Sequence, residues 1–146
     1  MKGKALLGKG GFTLLEMMVV ILILGILATI IVPRFVGQTD EARRKAAMVQ
    51  VRNLEDALNM YRIDSGMYPT TEQGLNALVT KPASPPEPTH WREGGYFPKI
   101  PLDPWGRPYV YLSPGSHGEY DLISYGADGE PGGEGKNEDI ESWDIR

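Results

Sequence analysis

The order of hydrophobic and polar residues divides the chain into three parts. Residues 17–32 read MMVVILILGILATIIV and carry no charge. Together with Phe12–Leu15 they give about 20 apolar residues, enough for a helix that crosses the hydrocarbon core of a bilayer. Apolar residues then recur at spacings of four and three through residues 40–64, which predicts one face of an amphipathic helix. That face consists of Ala47, Val51, Leu54, Leu58 and Tyr61.

Residues that can interrupt or end a helix lie before and after the amphipathic segment. Pro33 lacks the N–H that a helix interior needs, so it either kinks or ends the apolar helix. Asp40 is a suitable N-cap if a new helix begins there. The alternative is one helix that continues from Phe12. Gly66 is expected to end the helix as a left-handed stop.

A second, shorter helix is predicted at residues 68–79. Thr70 and Gln73 have the spacing of a capping box, and Leu75, Leu78 and Val79 supply a buried side. Residues 81–90 read KPASPPEPTH, a proline-rich composition that predicts an extended surface loop.

Two short strands are predicted in the last third of the chain. Residues 109–112 read YVYL and residues 120–125 read YDLISY, both rich in residues that favour strands. The segment between them reads SPGSHG, which is a turn composition. We therefore expect an antiparallel hairpin that packs on the long helix, and an α+β fold.

Composition narrows the possible functions. The chain has 146 residues, a formal net charge of -4 and no cysteine. A small core without disulfides favours support from a metal or from an assembly. The sequence contains no dense face of lysine and arginine residues, which argues against a nucleic-acid partner. Ser116-His117 near Asp121 is too common a combination to indicate a catalytic triad, so we predict no enzymatic activity.

The acidic Glu16 near the start of the apolar segment is the unusual feature of that region. Lys2, Lys4 and Lys9 precede the segment, as in a secretory signal, but the small-x-small cleavage pattern is missing after it. We therefore expect the segment to be retained, with its N-terminus in the cytoplasm. Glu16 either remains hydrated at the membrane surface or pairs with a positive charge from another chain, since an acid within a span is costly and usually functional.

The glycine-rich acidic segment at residues 125–144 also allows two interpretations. One is a solvated, partly disordered tail. The other is a loop closed by a hard cation, which binds carboxylate, amide and carbonyl oxygens. Asp128-Gly129 and the cluster Asn137–Asp139 would supply such oxygens, and Ile140 and Trp143 are apolar anchors that a disordered tail does not need.

The run Gly11-Phe12-Thr13-Leu14-Leu15-Glu16 resembles the class III signal of type IV pilins and pseudopilins. The resemblance implies that a membrane peptidase cuts after Gly11, removing residues 1–11 as a leader, and methylates Phe12. It also implies that Glu16 pairs with the amino group of Phe12 in a neighbouring subunit during filament assembly. Residues 12–33 would be the transmembrane and assembly helix.

Three further segments are similar to the G-type major pseudopilins of bacterial type II secretion. They read YPTTEQGLNALV, EGGYFPKIPLDPWGRPYVYLSPGSHGEYDLISYGADG and DIESW. The resemblance implies a pilin-like fold with a periplasmic domain at residues 34–146. It implies a structural subunit of a periplasmic filament that drives folded proteins across the outer membrane. The alternative is a type IV pilin of an adhesive or DNA-uptake filament.

The resemblance also implies partners and a calcium ion. The partners are further copies of the chain, minor pseudopilins, the inner-membrane platform and the prepilin peptidase. The Ca²⁺ would be held by the acidic segment. Its expected ligands are the side chains of Asp128 and Asp139, one of Asn137 or Glu138, and the backbone carbonyls of Tyr125 and Glu130.

Overall fold

A computed structural model describes the backbone of residues 11–145 and the side chains of residues 11–27 and 39–145. By its internal contacts the chain divides into two units, Met1–Gln38 and Thr39–Arg146. One helix, α1, is assigned from Leu14–Ser65. Asp40 therefore lies inside a helix and is not an N-cap.

The part of α1 in the second unit buries the face that the sequence pattern predicts. Ala47, Val51, Leu54 and Leu58 have no exposed surface, and Tyr61 is 1% exposed. The helix ends where expected, because Gly66 adopts a positive φ of 81° and its N–H donates to the carbonyl of Arg62 at 2.7 Å.

The second predicted helix is wrong in type and length. The capping box is present, since the Gln73 N–H donates to Thr70 Oγ1 at 3.2 Å and the Thr70 N–H donates to Gln73 Oε1 at 3.1 Å. However, Gly74 follows with a φ of 59°, which a continuing helix cannot contain. Only a short 3-10 helix at Leu75–Leu78 follows. Residues 81–90 contain no helix or strand, as predicted.

A three-stranded antiparallel sheet, in the order β1-β2-β3, packs against α1 in the second unit. The expected hairpin is confirmed as β1 (Val110–Leu112) and β2 (Asp121–Ser124), with Tyr111 opposite Leu122. The strand β3 (Ile140–Glu141) pairs with β2 and was not predicted. Its two residues are too few to show an alternating pattern.

Buried tyrosines join the sheet to the rest of this unit. The Tyr111 hydroxyl donates to the carbonyl of Pro69 at 2.8 Å, and the Tyr109 hydroxyl donates to Gln50 Oε1 on α1. Burial raises the pKa of Tyr111 to about 12, so its hydroxyl remains a hydrogen-bond donor even in alkaline solution where an exposed tyrosine would ionise. These bonds fix the strands from which the residues that follow β2 emerge.

Candidate functional site

The N-terminal segment begins helix α1 with a side-chain cap. Thr13 Oγ1 accepts a hydrogen bond from the Glu16 N–H at 3.2 Å, and the Thr13 carbonyl accepts from the Met17 N–H at 3.2 Å. Thr13 is therefore the N-cap, and Glu16 stands in the first turn, where the helix dipole favours a negative charge. The Thr-x-x-Glu spacing of a capping box could have indicated this from the sequence.

The side chains around Glu16 are exposed and apolar. Phe12 is 76% exposed, Leu14 79% and Leu15 73%, and the exposed apolar surface continues to Leu27. Among the described residues of this chain, no cationic side chain pairs with the Glu16 carboxylate. An apolar surface of this extent is typical of a segment covered by lipid or by other protein chains.

The sequence prediction for this segment extends beyond what the structure describes. Residues 1–10 of the expected leader and the side chain of Pro33 lie outside the described residues. Gly11 and Phe12 lie just before α1 in an irregular conformation. Within the described part of the chain, no helical stretch combines the length and hydrophobicity needed to cross a membrane.

The predicted cation ligands lie in the connection between β2 and β3, residues 125–139, which we call the C-terminal loop. Five glycines with positive φ shape it: Gly126, Gly129, Gly132, Gly133 and Gly135. Its two ends approach each other closely, because a Cβ added at Gly126 would lie 2.9 Å from the carbonyl oxygens of both Asn137 and Glu138. The Ala127 N–H also donates to the carbonyl of Lys136 at 3.2 Å.

The expected side-chain ligands have different surroundings in this loop. Asp139 is half-buried, and its Oδ2 accepts from the Gly132 N–H at 2.8 Å. Asp128 is exposed, and its Oδ1 accepts from the Glu130 N–H at 3.2 Å. The Glu138 carboxylate is paired with Arg44, with Oε2 2.8 Å from Nη2. Asn137 is half-buried.

The expected backbone ligands differ as well. The Tyr125 carbonyl accepts from the Gly129 N–H at 3.0 Å and retains a second lone pair. Glu130 is an exposed residue at the far side of that turn. Among the described residues, no three acidic or histidine side chains converge as a metal site would require. A cation here would therefore need backbone carbonyls in addition to carboxylates.

One atom in the loop fits a cation. Asp139 Oδ1 is buried and has no hydrogen-bond partner among the described residues. A buried carboxylate oxygen without a partner is costly, and a hard cation that prefers oxygen ligands would satisfy it. The donor set of carboxylate, amide and carbonyl oxygens therefore fits Ca²⁺, with Asp139 as the best supported side-chain ligand.

The two apolar anchors predicted near the C-terminus, Ile140 and Trp143, have separate roles. Ile140 is 2% exposed and belongs to the core. The Trp143 ring stacks on the His117 ring, with centroids 3.8 Å apart, and His117 Nδ1 lies 3.2 Å from Asp121 Oδ2. These contacts favour an ordered segment over a disordered tail. His117 was expected in the turn, but no pattern in the sequence indicates that its ring stacks on Trp143.

Two family models match successive parts of the chain. Residues 34–143 match the family model described as type II secretion system (T2SS), protein G. Residues 7–32 match the model described as the prokaryotic N-terminal methylation motif. The second match covers Gly11, Phe12 and Glu16.

Relatives match over almost their full length. The type II secretion system core protein G of Vibrio cholerae serotype O1 is 54% identical over 136 residues, which is 93% of this chain and 92% of the relative. The core protein G of Aeromonas hydrophila is 51% identical over 138 residues, 94% of each chain. That of Pseudomonas aeruginosa is 48% identical over 136 residues, 93% of this chain and 96% of the relative.

A solved structure supports the fold. The crystal structure of the major pseudopilin from the type 2 secretion system of enterohaemorrhagic Escherichia coli matches with a TM-score of 0.65 and 46% identity. The match covers 74% of this chain and 92% of that chain. On this evidence the chain belongs to the type II secretion system protein G family.

Proposed function

We propose that this chain is the major pseudopilin of a type II secretion system, a structural subunit that polymerises into a periplasmic filament. The observation that carries the proposal is the combination of a methylation-motif segment at residues 7–32 with a protein G domain at residues 34–143. Relatives that bear the name core protein G share both parts, because they match over more than 90% of this chain. A type IV pilin of an adhesive or DNA-uptake filament is not favoured by these matches.

The apolar segment would anchor the chain in the inner membrane before assembly. The domain from residue 34 would then lie in the periplasm, and a prepilin peptidase would cut after Gly11 and methylate Phe12. Polymerisation would extend the filament and drive folded proteins through the outer membrane. Minor pseudopilins and the inner-membrane platform would be the other partners, with energy from a cytoplasmic ATPase.

The charge on Glu16 would select the correct neighbour in the filament. At the centre of a membrane-spanning helix an unpaired acid costs about 2.5–3.5 kcal/mol, and the cost is smaller for a residue in the first turn such as Glu16. The amino group of Phe12 from a neighbouring subunit would compensate it, because opposite charges attract strongly where the dielectric constant is low. The exposed apolar side chains of Phe12, Leu14 and Leu15 would at the same time be covered by neighbouring helices.

The assembly proposal is tested by Glu16→Gln, which keeps the shape of the side chain and removes its charge. We expect normal insertion and processing but few filaments, measured by mass spectrometry of the mature chain and by electron microscopy. Glu72→Gln removes an exposed acid outside this segment and serves as the control. Filaments of Glu16→Gln at the wild-type level would exclude the charge pairing.

The processing proposal has its own test. Gly11→Ala should leave the leader attached, because the family resemblance implies that the peptidase recognises glycine itself on the leader side of the cut. The variant chain should therefore keep the mass of the precursor and carry no methyl group. A chain that still begins at Phe12 would contradict the assignment to this peptidase.

We further propose that the C-terminal loop binds one Ca²⁺ ion that stabilises the second unit. Asp139 would bind through the buried Oδ1, with Asp128, Asn137 and the carbonyls of Tyr125 and Glu130 as the other ligands. When bound, the ion would supply positive charge that links the two ends of the loop. Glu138 is the less favoured side-chain ligand, because its carboxylate is paired with Arg44.

The calcium proposal is tested by melting the purified full-length chain with calcium chloride and with a chelator. We expect a higher midpoint with calcium, and we expect Asp139→Asn to remove most of the difference. Asp144→Asn makes the same chemical change at an exposed residue nearby and should leave the difference intact. A midpoint that does not respond to the chelator would exclude the proposal.

A further inference from the structure

Two arginines from different parts of the second unit hold the C-terminal loop. Arg107 precedes β1, and its guanidinium donates to the carbonyls of Gly126 at 2.8 Å and Ala127 at 3.1 Å. Arg44 lies on α1 and donates to the carbonyl of Glu138 at 3.0 Å. Arg107 thus contacts residues 125–130, the first arm of the loop, and Arg44 contacts residues 135–139, the second arm.

Arg107 is itself held in a fixed position. Its N–H donates to Asp103 Oδ1 at 2.8 Å, and its carbonyl accepts from the Asp103 N–H at 2.7 Å. Asp103 is 5% exposed, and its Oδ2 accepts from the hydroxyl of Ser124, the last residue of β2, at 2.8 Å. The guanidinium is therefore anchored to the same strand from which the first arm emerges.

Gly129 allows the close approach of this guanidinium. A Cβ added at Gly129 would lie 2.5 Å from Arg107 Nε and 2.6 Å from Cζ. The backbone of Gly129 also has a φ of 75°, which residues other than glycine rarely adopt. The Arg107 side chain thus lies directly against the turn that contains Asp128.

The two arms carry the two acidic residues expected to bind the cation. Asp128 is on the first arm, and Asp139, with its unpartnered buried oxygen, ends the second. A flexible glycine-rich loop would lose much conformational entropy when a cation draws its oxygens together. Contacts that fix both arms beforehand reduce that loss.

We infer that Arg107 is a positioning residue for a divalent cation in the C-terminal loop, with Arg44 in the same role on the second arm. This inference rests on the proposed calcium site. Arg107 orients the turn of Asp128 by binding two successive carbonyls in a fork, a geometry that lysine cannot reproduce. Neither arginine binds the cation, because a guanidinium has no lone pair to offer.

The direction in which calcium affinity changes when Arg107 is replaced distinguishes a positioning role from a purely electrostatic one. A guanidinium near a cation repels it, so removing the charge alone would tighten calcium binding. Loss of the positioning contacts would instead weaken calcium binding. Outer contacts that orient metal ligands typically change affinity by about 10- to 100-fold when they are removed.

The experiment is a calorimetric titration of the full-length chain with calcium chloride. We expect the Kd to rise about 10- to 100-fold in both Arg107→Gln and Arg107→Lys. The lysine variant keeps the charge and loses only the fork. Arg52→Gln removes an exposed arginine of α1 that makes no bond to the C-terminal loop in the part of the chain that the structure describes. This variant should bind calcium as the wild type does.

A second measurement separates positioning from general stability. The near-UV circular dichroism spectrum and the melting midpoint of each variant are recorded in chelator. A folded Arg107 variant with a lower midpoint but an unchanged or smaller Kd would overturn the inference and leave the calcium site intact. If Arg107→Gln does not fold, the Kd of Arg107→Lys decides. Wild-type chain that binds no calcium would overturn the calcium site, and this inference with it.

Discussion

Asp121→Asn should destabilise the second unit, because it alters a buried carboxylate that organises the turn between β1 and β2. Asp121 Oδ2 accepts from the Ser116 N–H at 2.8 Å, and Oδ1 accepts from the His117 N–H at 3.1 Å. The carboxylate also lies 3.2 Å from His117 Nδ1, and its side chain is only 3% exposed. The same turn contains His117, and the Trp143 ring stacks on the His117 ring.

The loss of stability can be estimated from the hydrogen bonds that asparagine cannot accept. One carboxylate oxygen becomes an amide nitrogen, so whichever way the amide turns, one of the two backbone N–H groups loses its acceptor. An unsatisfied buried donor costs about 1–3 kcal/mol. Ser116 and His117 are themselves exposed, so water can partly replace the lost acceptor. We therefore expect about 1–2 kcal/mol, or a midpoint lower by about 4–8 °C for a domain of about 100 residues.

The effect should also depend on pH. Burial raises the pKa of Asp121, but the N–H groups of Ser116 and His117 and the His117 ring outweigh burial, so the pKa is lowered overall. A lowered pKa in the folded state means that the carboxylate stabilises the fold above the pKa of the unfolded chain. This contribution is complete at pH 7 and is lost as the pH falls below about 4. Wild type and variant should therefore converge in acid.

The assay is thermal unfolding of the purified full-length chain in detergent, followed by near-UV circular dichroism. All three tryptophans lie in the second unit, at residues 91, 105 and 143, so the signal reports on that unit. Asp56→Asn, on the exposed face of α1, should change stability by less than about 0.5 kcal/mol. A midpoint of Asp121→Asn equal to wild type at pH 7, or a difference that persists unchanged at pH 3, would refute the reasoning.

Three further changes test the core and the sheet. Leu58→Ala leaves a cavity at a fully buried position. The free energy of unfolding measured by chemical denaturation should therefore fall by about 2–5 kcal/mol. Tyr111→Phe removes the bond to the Pro69 carbonyl and should cost about 1–3 kcal/mol in the same assay. Burial raises the pKa of Glu55, which accepts from the Tyr120 hydroxyl at 3.3 Å. A raised pKa means that ionisation destabilises the fold as the pH rises above 4, so Glu55→Gln should become the more stable chain between pH 4 and pH 7 in a melting series.

The sequence by itself determined the elements whose signals are local. The spacing of Ala47, Val51, Leu54 and Leu58 fixes which face of α1 is buried, because a helix brings every third or fourth residue to one side. Gly66 fixes the end of that helix, since it takes a positive φ without steric cost. The hairpin of β1 and β2 was predictable for the same reason, because both strands and their turn are continuous in sequence.

The N-terminal motif was also readable from sequence alone. The processing and pairing proposed for it depend on a fixed spacing along the chain, from Gly11 and Phe12 to Glu16, and residues 7–32 match the methylation motif. The N-cap at Thr13 was missed although its signal was present. The second helix was predicted wrongly, because the capping box at Thr70 and Gln73 is local but the positive φ of Gly74 overrides it.

Only the tertiary structure decided how the C-terminal loop is held. The strand β3 exists because β2 offers it a partner, and two residues carry no pattern of their own. The burial of Asp139 Oδ1 and the contacts of Arg44 and Arg107 join residues far apart in the chain. Such contacts depend on how the sheet and α1 pack, and no periodicity in the sequence records that packing.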